Sequence, residues 1–135
     1  MKKGLGGEGS ASVHIPAGEK ISVRPHSKVV LKFNRVSQSG TASASPVSTY
    51  PPHPQGKFLG EVFEINTTAV FSGVVTVGLS FDGKGITEEQ KKKLRVYRHD
   101  YLKKGSVWED VTSSIDTANN VAYGETDHFS IFGVK

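Results

Sequence analysis

The tripeptide His128-Phe129-Ser130, near the end of the printed sequence, brings together two side chains that can do chemistry. An imidazole is a common general base, and a serine hydroxyl becomes a nucleophile when a base takes its proton. With one residue between them, the two groups could act on their own backbone. The same stretch also fits an alternating strand that completes a sheet. The sequence therefore leaves two interpretations of this segment, a self-acting site and a closing strand.

Metal chemistry is the next possibility, because the chain has five histidines: His14, His26, His53, His99 and His128. None of them lies at the i, i+2 or i, i+4 spacing of common metal sites, and no carboxylate-histidine cluster repeats. Cysteine is absent, which excludes zinc-thiolate sites, disulfides and thiol nucleophiles. We therefore predict no metal and no other cofactor.

A sugar-binding platform is a further possibility, since Tyr50, Tyr97, Trp108 and Tyr123 are candidate aromatic side chains. Such platforms need aromatic rings that stay exposed. Trp108 lies in the run VWEDVT, and a single tryptophan in a β-sandwich more often belongs to the core than to a ligand surface. The sequence therefore favours packing over sugar binding at Trp108.

The charged residues do not predict an acid-base dyad or a nucleic-acid surface. Glu88 and Glu89, like Glu109 and Asp110, are adjacent in sequence, so their side chains diverge on a strand or a helix. The cations of Lys91–Lys93 are typical of a solvated helix end. The net charge of +4 arises with acidic residues interleaved among the basic ones, a balance that favours solubility over nucleic-acid binding.

The elements that must position these residues are predicted to be strands. In the run KVVLKFNRV, Val29, Leu31 and Phe33 share one face, with the period of two that marks a half-buried strand. The run from Ala69 to Phe81 is long enough for a central strand, and its two glycines indicate a bulge or close packing. Many short strands with turns between them predict an all-β antiparallel sandwich.

Other stretches predict a helix, a loop and a tail. Thr87 and Gln90 form a capping box, which predicts one short helix near residues 87–93. The segment Gly40–Gln55 has four prolines and predicts an edge segment or a loop. Residues 1–10 predict a flexible tail, and residues 11–135 a single domain. No run approaches the ~20 apolar residues of a membrane span.

The second half of the chain resembles a known family of modules. The order EVFEINTTAVFSGVVTVGLSFD, TEEQ, LRVYRHD, VWEDVTSSIDTANNVAYGE and DHFSIFGV resembles β-sandwich modules of bacterial and archaeal surface proteins. Those modules are similar to the ZU-type domain of netrin receptors, ankyrins and death-domain scaffolds. The phrase VHIPAGEKISV resembles the turn with which ZU-type domains begin, so the resemblance covers residues 11–134. Gly40–Gln55 is the stretch that least resembles the family.

The resemblance also bears on the His-Phe-Ser tripeptide, because some ZU-type domains cut themselves at such a sequence near their C-terminal end. It implies that Ser130 Oγ would attack the Phe129 carbonyl carbon while His128 takes the hydroxyl proton. The N-to-O acyl shift gives an ester that water hydrolyses. The reaction needs a strained Phe129–Ser130 peptide and donors for the developing oxyanion.

In the closing-strand interpretation, Phe129 and Ile131 face one side of a strand, Ser130 and Phe132 face the other, and His128 lies at its start. The prediction drawn from the sequence and the resemblance is a non-enzymatic structural or interaction module. It would bind protein partners or neighbouring domains in a cell-surface or extracellular assembly. One alternative is the self-cleaving domain. Another is a homo-oligomer whose glycine-rich tail lends a strand to a neighbour's open edge.

Overall fold

The computed structural model describes residues 11–50, 56–99 and 108–135, and in these ranges the chain forms two antiparallel sheets that pack face to face. The predicted all-β antiparallel sandwich is confirmed. The tail prediction for residues 1–10, and with it the strand-exchange alternative, lies outside the described residues.

One sheet has six strands within the described ranges, and their order in sequence differs from their order in space. Side by side they are β1 (Ala11–Ile15), β4 (Gly40–Val47), β5 (Val62–Thr67), β11 (Ile131–Val134), β7 (Val96–His99) and β8 (Trp108–Asp110). The strand that comes last in the described chain is therefore an inner strand, paired with β5 on one side and β7 on the other.

The second sheet has five strands in the described part of the chain. Side by side they are β2 (Gly18–His26), β3 (Val29–Gln38), β6 (Val70–Ser80), β10 (Val121–Thr126) and β9 (Thr112–Asp116). The predicted long central strand is β6, which pairs with β3 and β10. Gly73, at φ +81°, lies where the β3–β6 register shifts, as a bulge requires.

The core lies between the two sheets and follows the alternation seen in the sequence. Val29, Leu31 and Phe33 of β3 are buried, whereas Lys32 and Asn34 are exposed. They pack with buried residues of the opposite sheet, including Ile65 and Phe132. Burial of such side chains is the main source of stability for a sandwich of this size.

The one helix of the described chain, α1 (Glu88–Lys92), has the predicted capping box. The Gln90 backbone N–H donates to Thr87 Oγ1 at 3.1 Å, and the Thr87 N–H donates to Gln90 Oε1 at 2.9 Å. Satisfying these otherwise unpaired helix-start groups fixes where the helix begins. The three lysines at its end include Lys91, which is not simply solvated: its Nζ lies 3.3 Å from Glu88 Oε1 and 3.4 Å from the Thr117 carbonyl.

The prediction of an edge or loop at Gly40–Gln55 is wrong for its first half. Gly40–Val47 forms β4, an inner strand that pairs with β1 and β5. Proline has no backbone N–H to donate to a neighbouring strand. Pro46 is tolerated in β4 because β1 pairs only with Gly40 to Ala44, so on that side no strand of the described chain lies opposite Pro46. Residues 51–55 lie outside the described part.

A smaller apolar cluster covers the outer face of the six-stranded sheet. Its buried members are Val62, Trp108 and Ile131, and the half-buried rings of Tyr50, Phe58 and Tyr97 pack on them. Trp108 is 8% exposed, and its ring centroid lies 4.6 Å from that of Phe58. The inner strands of this sheet are thus covered on both faces.

Candidate functional site

The tripeptide His128-Phe129-Ser130 lies in the connection that crosses from the five-stranded sheet to the six-stranded sheet. It follows β10, which ends at Thr126, and precedes β11, which begins at Ile131. The Ser130 carbonyl accepts a hydrogen bond from the Ile65 N–H of β5 at 2.9 Å. The six-stranded sheet therefore already holds the backbone at Ser130, the proposed nucleophile.

Phe129 anchors this connection in the main core. Its ring centroid lies 5.7 Å from that of Phe71, 6.2 Å from that of Phe33 and 6.5 Å from that of Phe132. The closing-strand interpretation placed Phe129 and Ile131 on the same side of one strand. It is wrong on this point, because Phe129 packs on the main core and Ile131 belongs to the outer cluster. Phe129 precedes β11 as part of a crossing connection, so the strand's alternation does not extend back to it.

His128 is oriented by the preceding residue. Its Nδ1 lies 2.6 Å from Asp127 Oδ1, and the two side chains are 44% and 78% exposed. The hydrogen bond from His128, together with the charge of its imidazolium, holds the pKa of the Asp127 carboxyl below its ordinary 3.8. Because Nδ1 faces the carboxylate, Nε2 is the ring nitrogen that would act as a base.

Thr126 ties the connection back to the sheets. Its hydroxyl donates to the His128 carbonyl at 2.5 Å, and the same oxygen accepts from Arg98 Nη1 at 2.8 Å. Arg98 lies on β7, in the opposite sheet, and its Nη2 donates to Glu109 Oε1 at 2.7 Å. This chain of contacts, from Glu109 through Arg98 and Thr126 to His128, is the inter-sheet polar link. Arg98 is 9% exposed and Thr126 3%, so the middle of the link lies out of water.

An open cleft of about 350 Å³ adjoins the connection. Its walls come from the end of β5, the start of β6 and the connection itself, and are formed by Asn66, Thr67, Phe71, Asp127, His128 and Phe129. The Asp127–His128 pair therefore lies in the wall of a cleft that is open to solvent.

Self-cleavage also requires a strained Phe129–Ser130 peptide, but the positive φ angles of non-glycine residues lie at other positions. In the described ranges, non-glycine residues with positive φ are Lys20 at 55° and Asn120 at 57°. Neither is near the tripeptide in sequence. Phe129 and Ser130 thus lack the left-handed backbone conformation that stores strain in many active sites.

The remaining histidines are dispersed. His14 is exposed, and buried His26 accepts from the Lys28 N–H at 3.1 Å through Nδ1. His99 is buried with its ring centroid 5.1 Å from that of Trp108. His53 lies outside the described residues. Within the described ranges, no three histidine or acidic residues come together as a possible metal site.

Three of the four aromatic candidates lie together, and Tyr123 lies apart from them. Tyr50, Tyr97 and Trp108 pack together in the outer cluster. Tyr123 lies on the other sheet, with Lys32 Nζ 5.1 Å from its ring centroid. Their rings are engaged in packing or cation–π contacts, which does not leave a shared flat platform.

The sequence did not single out Thr126, Asp127 or Arg98 as members of this site. Asp127 is adjacent to His128, so a histidine flanked by a carboxylate was a usable signal. Arg98 has no such signal, because it is 28 residues from Thr126 and reaches it from the opposite sheet.

Comparisons with protein-family models, with curated proteins and with solved structures found no match to this chain. Among its described residues, no helix has the length and apolar character needed to cross a membrane.

The Asp127–His128 pair predicts a pH dependence. A carboxyl whose folded-state pKa is lowered contributes stability above its unfolded-state pKa, and that contribution is lost as the pH falls through the folded-state value. We expect the melting temperature of the wild-type protein to fall as the pH is lowered from about 5 to about 3. The melting temperature of Asp127→Asn should fall less steeply over the same pH range. Equal slopes in thermal melts of the two proteins would contradict the pair's contribution.

Proposed function

We propose that the chain is a non-enzymatic structural or interaction module of a larger cell-surface or extracellular assembly, as its resemblance to ZU-type sandwiches implies. The supporting observation is the inter-sheet polar link. Its Thr126 hydroxyl donates to the His128 carbonyl and accepts from Arg98, so these groups hold the connection between the sheets. Satisfied polar groups that fix a backbone in this way make a fold rigid, and a rigid fold suits a structural or interaction module.

The aromatic anchor supports the same role. Phe129 packs against Phe33 and Phe71 of the five-stranded sheet, and Ser130 bonds to β5 of the other sheet. The tripeptide thereby joins the two sheets at the point where the chain crosses between them. The packing of the Phe129 ring and the backbone hydrogen bond of Ser130 support a structural role for the tripeptide.

The test is the mass of the purified full chain under denaturing conditions. We expect one species with the mass of all 135 residues, after long incubation as well as when fresh. Denaturation is essential, because a cut before Ser130 would leave β11 held by its hydrogen bonds to β5 and β7. Fragments of residues 1–129 and 130–135 would overturn the non-enzymatic proposal.

Self-cleavage between Phe129 and Ser130 is the second candidate, and the Asp127–His128 contact favours it. The Asp127 carboxylate on Nδ1 orients the imidazole and presents Nε2 as the base, as in hydrolytic triads. If the chain cleaves itself, the wild type gives two fragments, whereas Ser130→Ala and His128→Gln each give only the intact mass. Fragments that persist in Ser130→Ala would point to a contaminating protease instead.

A further inference from the structure

Two half-buried phenylalanine rings form part of the cleft that contains the Asp127–His128 pair. Phe71 and Phe129 both line the cleft, with their ring centroids 5.7 Å apart and their planes tilted by 49°. Each ring also packs edge-on against buried Phe33, at 5.4 Å and 6.2 Å between centroids. That packing holds the two rings in place, so the cleft has a rigid aromatic wall. The face of an aromatic ring carries partial negative charge and attracts a cation.

Asp127 is the one carboxylate among the residues that line this cleft. The remaining walls are Asn66, Thr67 and His128 together with the two rings, and they include no lysine or arginine. The Asp127 side chain is 78% exposed, and its Oδ1 lies 2.6 Å from His128 Nδ1. The carboxylate is therefore fixed by a neighbour and still reachable from solvent. A carboxylate beside aromatic rings suits a ligand with a cationic group.

The inter-sheet polar link does not cancel the charge of Asp127. Besides the His128 hydrogen bond, the charge of Arg98 lowers the pKa of the Asp127 carboxyl, so the two side chains interact. Glu109 Oε1 lies 2.7 Å from Arg98 Nη2 and offsets the guanidinium charge. Histidine side chains are neutral at about pH 8, so one cation and two carboxylates then leave one net negative charge.

Three other clefts in the described ranges, of 330 to 360 Å³, lack this combination. Lys32 lines one of them and Lys28 lines another, so each already contains a cation. The third includes Glu61, whose carboxylate lies 3.2 Å from Lys28 Nζ. The Asp127 cleft differs from these three because it joins two aromatic rings to a carboxylate with no lysine or arginine in its walls or paired directly with that carboxylate.

We propose that this cleft binds an arginine side chain of a partner protein. The guanidinium stacks on a phenylalanine ring and donates to the Asp127 carboxylate, which arginine can do at once because its charged group is planar and has five donors. A cleft of about 350 Å³ lies at the small end of ligand sites and suits a single side chain. Val70, which precedes Phe71 in the chain, is 49% exposed, so the surface beside the cleft can bury apolar area of the partner. The arginine site rests on the interaction role proposed above, for which it names the partner's chemistry.

The test is an NMR titration of the isotope-labelled full chain with N-acetyl-arginine methylamide at about pH 8, where histidine is neutral. Amide signals of residues 66–71 and 127–129 should shift, with a Kd on the order of 5 mM. N-acetyl-citrulline methylamide has nearly the same shape without the positive charge. It should bind at least about fivefold more weakly, because it offers neither a cation for the rings nor a charge-assisted hydrogen bond.

Substitutions in the cleft separate the two parts of the site. Asp127→Asn should weaken binding of the arginine probe about fivefold, because the charged acceptor of the guanidinium is gone. Phe71→Leu should weaken it about threefold, since an apolar side chain without a ring cannot stack on the guanidinium. Glu89→Gln is the matched control, because it removes the same charge from a side chain that is 80% exposed on α1, beyond the opposite end of β6. This control should bind the arginine probe like the wild type.

Equal binding of the two probes, or an unchanged Kd in Asp127→Asn, would overturn the arginine site. So would signal shifts that are spread over the surface of the chain. If Phe71→Leu fails to fold, Asp127→Asn still decides, because that side chain is exposed. The mass measurement is a separate readout: an intact chain that does not bind the arginine probe refutes the arginine site alone, whereas fragments refute the non-enzymatic role.

Discussion

Replacement of Arg98 with methionine is expected to lower the free energy of unfolding by about 3 kcal/mol. Arg98 has its side chain 11% exposed and donates to Thr126 at 2.8 Å and to Glu109 at 2.7 Å. Removal of the guanidinium takes both contacts away and leaves the Glu109 carboxylate, whose side chain is 33% exposed, without that cation. The loss of a partner from a largely buried ion pair costs more than the pair itself contributes.

The measurement is urea unfolding followed by the fluorescence of Trp108, the single tryptophan of the chain. The double variant Arg98→Met with Glu109→Met should be more stable than Arg98→Met alone, because it removes the carboxylate along with its cation. Arg98→Lys should restore little, since a lysine cannot reach Thr126 and Glu109 with separate donors in the same geometry. If the free energy of unfolding of Arg98→Met is within about 0.5 kcal/mol of the wild-type value, the inter-sheet polar link does not stabilise the fold as predicted.

The second large effect is expected at Gly40, where alanine should destabilise the fold by about 3 kcal/mol or more. A Cβ atom at this position would lie 2.5 Å from the Ala69 nitrogen and 2.7 Å from the Thr68 carbonyl carbon. Both are backbone atoms of the turn between β5 and β6, which is also held by the Thr68 N–H bond to the Thr41 carbonyl at 2.9 Å. No side-chain rotation relieves such a contact, so a strand or the turn must shift.

The matched control for Gly40→Ala is Ser39→Ala at the neighbouring exposed position. It makes a similarly small change one residue away and should leave the urea midpoint within experimental error. If Gly40→Ala lowers the free energy of unfolding by less than about 1 kcal/mol, the backbone of the turn between β5 and β6 shifts at little cost. A midpoint equal to that of the wild type would refute the steric argument.

The sequence predicted those parts of the fold that depend on local pattern. The alternation at Val29, Leu31 and Phe33 identified a strand and its buried face. The capping box at Thr87 and Gln90 located the helix, because both partners lie within one turn. Gly73 was correctly associated with a bulge. In each case the physical cause lies within a few residues.

The sequence did not predict features that depend on the arrangement of the sheets. The composition of Gly40–Val47 predicted an edge segment or a loop, but the segment lies between β1 and β5 because of which strands pair. Pro46 does not disrupt the sheet because the pairing with β1 ends at Ala44. The direction of Phe129 depends on the crossing between sheets. The contact of Arg98 with Thr126 joins residues of different sheets, which no local pattern encodes.

The inner position of β11 has a consequence for how the protein folds. β11 fills the gap between β5 and β7, both of which precede it in the chain. The six-stranded sheet therefore cannot close until residues 131–134 have left the ribosome, and until then β5 and β7 each have an unpaired edge. Such long-range pairing slows folding, and exposed edges invite aggregation in the interval. Closure of the six-stranded sheet thus depends on the arrival of β11, and shielding of the nascent sheet by a chaperone would matter most just before residues 131–134 emerge.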